Sequence, residues 1–290
     1  MDKETGMYYY GARYYDPRIS IFVCVDPLAE GFPAIGGYVY TLNNPINLVD
    51  PTGMAPETDY FDSKGNFIRR DNDGSDCILV FAANTKRYIS PSMMKTDNAG
   101  SKVLAKIAAH YSNEMGLSNE YKFGGAAPNT SGESSAENPA FTRSSNNLAY
   151  FNNIDGFSTS LDNVNSFKSI LRHENKHQVN NENKVPNNNL THAEVYLYQM
   201  KHAEFKDAPT EFQSKMVGSF WNYLYNAEKS KYGDAMIEDL VIRFNRLETT
   251  GYKIKMNPNP MSGIIRVEDF DIYNNGKKQG KIKFRLNEEN

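Results

Sequence analysis

Polar and apolar positions follow two different rhythms along this 290-residue chain. Up to about residue 55, aromatic and β-branched residues alternate with Gly, Asn and Asp, as in "MYYYGARYYDPRISIFVCVDP" and "GGYVYTLNNPINLVDPTGM". Asp-Pro and Asn-Pro pairs close these runs, so the pattern predicts short strands and tight turns and no helix. Alternation continues through "DYFDSKGNFIRRDNDGSDCILVFAA", which predicts strands joined by Lys-Gly and Asp-Gly turns. Then the period lengthens. Val103, Leu104, Ile107, Ala108 and Tyr111 recur at helical spacing and predict a helix over 101–116, stopped by Gly116. The Gly/Ser-rich stretch 122–139 reads as a mobile polar loop, and 146–153 as a short strand. Helices are predicted over about 162–180, 192–206 and 210–231, the last two split by Asp207-Ala208-Pro209. "DAMIEDLVIRFNRLE" reads as a further helix. The chain closes on a hairpin turning at Asn274-Asn275-Gly276 or Lys278-Gln279-Gly280. The fold class is α+β.

Composition narrows the classes. The mean hydropathy is −0.64, and no apolar run approaches the ~20 residues a membrane span needs. No apolar h-region follows the first Met, so no cleavable secretory signal is expected. Cys24 and Cys77 offer neither a disulfide framework nor a thiolate metal site. The net charge of −3 resides wholly in residues 1–56, with three basic and six acidic residues, while the remainder balances. Without a basic excess, a nucleic-acid partner is not expected.

The candidate chemistry sits in "LRHENKHQ". His173 and His177 are four apart, one turn on the same helix face, so both imidazoles can reach one ion. Glu174 then stands beside them as the group that takes a proton from the attacking water. Val164, Phe167, Ile170 and Leu171 form an apolar stripe leading onto the motif, with Asp162 or Asn163 as the cap. Such a Zn2+ site needs a third protein ligand. Glu194, in "THAEVYLYQ", is the expected one, and His192, on a different face, competes with it. Glu194 also fits a Thr191–Glu194 capping box, in which it would only satisfy a backbone N–H. Tyr198, one turn from Glu194, is a candidate donor to a developing oxyanion, although aromatic residues at this spacing are usually core. His110 and His202 read as structural. Strand 146–153, just ahead of the catalytic helix, is a candidate edge for pairing with an extended substrate.

Two resemblances organise these residues. "YYYGARYYDPRISIF", "VDPLAE" and "YVYTLNNPINLVDPTGM", spanning about residues 6–54, closely resemble the C-terminal end of the core of RHS/YD-repeat proteins. The resemblance implies a segment 1–54 from a shell of tyrosine-rich strands, followed by a toxin domain over 55–290. It implies aspartyl self-cleavage between Met54 and Ala55, built on Asp50-Pro51-Thr52-Gly53 and Asp26-Pro27-Leu28-Ala29, where alanine replaces the motif's glycine. It also implies export without a signal peptide by a type VI or similar contact-dependent machine, action in a target cell, and a cognate immunity protein. The H-E-x-x-H helix with Glu194 on a following helix resembles the gluzincin-like arrangement of zincin metallopeptidases. Together they imply a secreted zinc metallopeptidase toxin cleaving a target-cell protein. The rivals are an RHS-associated nuclease and a non-enzymatic interaction module.

Overall fold

A computed structural model of the chain describes residues 5–9, 13–25, 37–40, 58–71, 75–117, 122–229, 234–256, 270–274 and 277–280. The chain divides into two compact units, Met1–Pro91 and Ser92–Asn290. In the first, β1 (Tyr8–Tyr9), β2 (Tyr14–Asp16) and β3 (Ile21–Phe22) form an antiparallel sheet. Tyr15 lies 4.2 Å from Tyr40 and 6.0 Å from Phe22, ring to ring, and the buried Arg13 guanidinium lies 3.8 Å over Phe22. Asp16-Pro17 is a turn: the Asp16 carbonyl accepts from Ser20 N at 2.9 Å and its carboxylate from Arg18 N at 2.9 Å. Asp26, Asp50 and Met54 lie outside the described residues. A second sheet has the order β5-β4-β6-β7, from β4 (Thr58–Phe61), β5 (Phe67–Asp71), β6 (Ile78–Ala82) and β7 (Arg87–Ile89). Gly65 turns β4 into β5 at φ +80, a conformation a side chain would strain. Asp59, fully buried on β4, receives Arg70 Nε and a terminal nitrogen at 2.6 and 2.9 Å, which offsets the cost of burying its charge.

In the second unit, α1 (Asn98–Glu114) is capped by Asp97 and buries the predicted stripe Val103, Leu104, Ile107, Ala108 and Tyr111. It ends at Met115, with Gly116 at φ +72 just beyond. β8 (Phe123–Ala127), β9 (Ala140–Arg143) and β10 (Leu148–Asn152) form a sheet in the order β8-β10-β9. Two expectations are corrected here. Part of the stretch read as a mobile loop is β8, and the rest is fixed by a network of amides. The fully buried Asn152 donates to the carbonyls of Glu133 and Asn138 at 2.9 Å each, and Asn129 N donates to its Oδ1 at 3.3 Å. Short polar side chains that signal solvated loops serve equally well as internal backbone partners, and periodicity cannot separate the two. The strand read as a substrate-pairing edge, β10, is central; the edges are β8 and β9.

α2 (Val164–Glu182) starts at the cap Asn163, whose side chain accepts from Ser166 N. Its Phe167 fits between Tyr111 and Phe151, with ring centroids at 5.4 and 5.3 Å, and so fastens α1, α2 and β10 into one core. α3 (Asn189–Met200) begins three residues earlier than expected. Asn188 caps it, and the capping box pairs Asn188 with Thr191, so Glu194 lies beyond the first turn and caps nothing. The expected single helix breaks at Lys201–His202, where His202 Nδ1 donates to the Tyr198 carbonyl at 2.8 Å, before the short α4 (Ala203–Lys206). α3 lies against α2 and α5 (Thr210–Lys229), and α6 (Asp234–Asn245) adds Phe244, stacked on Phe220 at 5.2 Å. β11 (Tyr252–Met256), β12 (Phe270–Asn274) and β13 (Lys277–Gly280) form an antiparallel sheet; Asn275 and Gly276 of the expected turn lie outside the described residues. The fold is mixed α+β, helices with small sheets. No described helix is long and apolar enough to cross a membrane.

Candidate active site

α2 runs its apolar stripe into the core, so the residues one step around the helix face α3. His173 and His177 stand there one turn apart, and His192 meets them from α3. His177 Nε2 lies 3.2 Å from His173 Nε2 and 3.3 Å from His192 Nε2, and one nitrogen of each ring falls within 4.8 Å of the others. Nitrogens around a tetrahedral ion with bonds of ~2.0–2.1 Å are separated by about 3.3 Å, so the two separations from His177 match those around a single metal ion. The protonation states fit as well. Burial holds His173 down at about 4 and His192 at about 3, and holds His177 well below the usual range, so all three rings are neutral near pH 7. His173 Nδ1 lies 3.0 Å from Gln199 Oε1, and Gln199 Nε2 donates to Ser169 Oγ at 3.0 Å. An amide oxygen only accepts, so Nδ1 carries the ring proton and Nε2 keeps its lone pair.

Glu174 is 3% exposed, and Thr142 Oγ1 on β9 lies 2.8 Å from its Oε2. Burial pushes its carboxyl up to about 7, against the pull of Thr142, so it can both take and give a proton near neutrality. The histidines and Glu174 line a cavity of about 220 Å3, walled on one side by β9 and on the other by α5. From α5, Tyr223 stacks on His192 at 3.9 Å and 15° between planes. Burial pushes the Tyr223 phenol up to about 12 and raises Tyr196 too, so both remain protonated donors.

The structure does not bring Glu194 to the histidines. It is 46% exposed, lies 3.3 Å from Arg243, and lines a separate depression with Met236 and Asp239. At ~100° per residue, Glu194 points far around α3 from His192, whereas His192, Tyr196 and Gln199 at i, i+4 and i+7 share the face toward α2. That stripe was the available signal. Tyr198 is likewise elsewhere, against His202 at 4.7 Å, with Lys201 and Lys176 over its ring. His110 pairs with Glu114 at 3.3 Å on α1. Gln199 as a histidine holder, Thr142 and Tyr223 were not anticipated; the last two come from a strand and a helix far along the chain, with no spacing to reveal them.

A family model described as "Metallopeptidase toxin 2" matches residues 59–246, well over half of the chain and all of the cavity's histidines. Curated relatives match short stretches. The "tRNA nuclease WapA" of Bacillus subtilis is 47% identical over 55 residues, 18% of this chain and 2% of that protein. The "Toxin subunit YenC2" of Yersinia entomophaga is 46% identical over 52 residues, 18% of this chain and 5% of that one. No solved structure gives a significant match.

Proposed function

The chain belongs to the metallopeptidase toxin 2 family, and from that premise we propose that it is a zinc-dependent peptidase toxin of zincin-like H-E-x-x-H type. His173, His177 and His192 hold the metal and Glu174 is the general base. The observation that carries this reading is the convergence of three neutral imidazoles beside a buried carboxylate poised near neutrality. Zinc, when bound, would polarise the scissile carbonyl and lower the pKa of the attacking water toward ~7.

The chain's own residues supply the rest. Glu174 takes the proton from the attacking water and returns it to the leaving amine. Gln199 and Ser169 fix the His173 tautomer. β9, an outer strand of its sheet that lines the cavity, can accept an extended substrate by strand addition, the role first given to 146–153. Tyr223, lining the cavity as a neutral phenol, replaces Tyr198 as the donor available to the oxyanion. Self-cleavage at Met54–Ala55 through Asp26 and Asp50 would release the toxin region, 55–290, from the RHS-like segment 1–54. Export without a signal peptide, action on a protein in a target cell, and a neutralising immunity protein complete the proposal.

The test combines zinc content, cleavage of casein and growth inhibition, for the natural chain and Glu174→Gln. One zinc per chain, with cleavage and toxicity lost only in Glu174→Gln, is expected; full toxicity of Glu174→Gln would overturn the mechanism. Because WapA is named a tRNA nuclease, tRNA is assayed in parallel. Its cleavage by both proteins would favour the nuclease reading.

A further inference from the structure

The charged side chains lining the cavity, among the described residues, are all carboxylates: Glu174 at the histidines, and Glu133 and Glu137 ahead of β9. Glu133 and Glu137 belong to the segment that leads directly into β9, so a chain laid along β9 passes them on its way to the histidines. This wall is rigid. Asn129 Nδ2, Asn138 Nδ2 and Ser131 Oγ all donate to Glu133 Oε2, at 2.9, 3.1 and 3.3 Å, and Oε1 takes none of these bonds. Asn152 holds the same segment through the Glu133 and Asn138 carbonyls. The nearby cation, Lys215 on α5, donates to the Ala136 carbonyl and feels the charge of Glu137, but it does not line the cavity, which leaves Glu133 as the main carboxylate of this wall.

A carboxylate fixed through one oxygen, facing a cavity with no lining cation, is built to meet a positive group arriving with the substrate. An acidic side chain beside Glu133 and Glu137 would be disfavoured by repulsion. Resting on the peptidase reading above, we propose that Glu133, with Glu137 beside it, selects substrates carrying Lys or Arg next to the bond that is cut. The partner is therefore a basic segment of a target protein. Glu133 and Glu137 are specificity residues of a cleft whose chemistry is set by the histidines and Glu174.

The experiment is cleavage-site profiling of the zinc-loaded full chain on a proteome-derived peptide library, alongside Glu133→Gln, Glu137→Gln and the double variant. Glutamine at 133 keeps an oxygen for its three donors, and Glu137 is exposed, so neither change threatens the fold. Lys and Arg should exceed Asp and Glu by about tenfold or more at one position flanking the cut, equivalent to about 1.4 kcal/mol of discrimination. Each single variant should lower that ratio, and the double variant should bring it close to one. Natural protein that cuts without preference for cations, or a double variant with an unchanged ratio, overturns the proposal and leaves the peptidase reading standing. Zinc-loaded protein that cuts no peptide overturns the peptidase reading itself.

Discussion

α2 and α3 meet at the same cavity but contribute to it in opposite ways. α2 buries its polar groups: His173, Glu174, Asn175 and Gln178 are all at most 8% exposed. Most of these groups are satisfied from elsewhere, His173 by Gln199, Glu174 by Thr142, and Gln178 by the carbonyls of Lys122 and Asn147 at 2.6 and 3.0 Å. α3 buries its apolar residues, Leu190, Ala193, Val195 and Leu197, and leaves the charged Glu194 to solvent. Its contribution to the site is one narrow stripe, in which His192 joins the cluster and Gln199 steadies the partner helix. Desolvated chemistry is thus concentrated on one helix, and the second helix supplies what that burial requires. The two helices should respond differently to substitution.

His192→Ala gives the largest expected effect. If α3 completes the metal set, this change leaves two imidazoles and should lower zinc affinity by several orders of magnitude, with loss of cleavage. Zinc titration against a chelator of known affinity reads this directly. Retained zinc in His192→Ala would mean that α2 holds the metal with some other third group.

The support role of α3 gives a smaller effect. Gln199→Ala removes the acceptor that sets the His173 tautomer while leaving all three rings in place. Loss of such an outer partner typically costs 10–100-fold in metal affinity, and that range is expected here. Gln199→Glu, which keeps an acceptor at the same reach, should recover most of it. A purely structural role would instead lower the melting temperature with no change in affinity.

How these two helices announced themselves in the sequence follows from the same contrast. The α2 pair was legible because its geometry is local: His173, Glu174 and His177 lie within one turn, so helix periodicity alone brings them together. The cap Asn163 and the stripe Val164, Phe167, Ile170 and Leu171 fixed that helix in place. Glu194 was expected at the third position from its distance along the chain and the gluzincin-like resemblance, with a Thr191–Glu194 capping box as the competing reading; the structure sets it apart from the histidines and in no box. The box begins at Asn188, and Glu194 lies about 160° around α3 from His192, on the far side from the His192–Tyr196–Gln199 stripe. Thr142 and Tyr223 depend on how β9 and α5 come together in space, and no sequence spacing encodes that.

Acid should expose the cost of α2's burial. In metal-free protein the three histidines have folded pKa values below the unfolded ~6.5, so the unfolded chain binds more protons below that pH. Their contribution is present above about pH 6.5 and is lost as pH falls, through about 4 for His173 and about 3 for His192. Glu174 opposes them: its folded value of about 7 exceeds the unfolded value, so its contribution is present at low pH and lost as pH rises through 7. Three groups against one predict that chelated protein melts lower at pH 5 than at pH 7. Glu174→Gln removes the opposing group, so its pH dependence over that window should be steeper. A flat melting profile for the chelated natural protein would show that these rings are solvated.

The smallest effect is expected at Glu194, which makes it the sharpest control. Its pairing with Arg243 at 3.3 Å joins two side chains each more than 40% exposed, where screening and side-chain entropy cancel most of the attraction. Glu194→Ala should therefore change stability by no more than about 0.5 kcal/mol. Zinc content and cleavage should match those of the natural chain. Measured beside His192→Ala, it places two substitutions only two residues apart on one helix at opposite ends of the scale. If Glu194→Ala lost zinc as His192→Ala does, α3 would have to present a different face to α2, and the His192–Tyr196–Gln199 stripe would no longer account for the site.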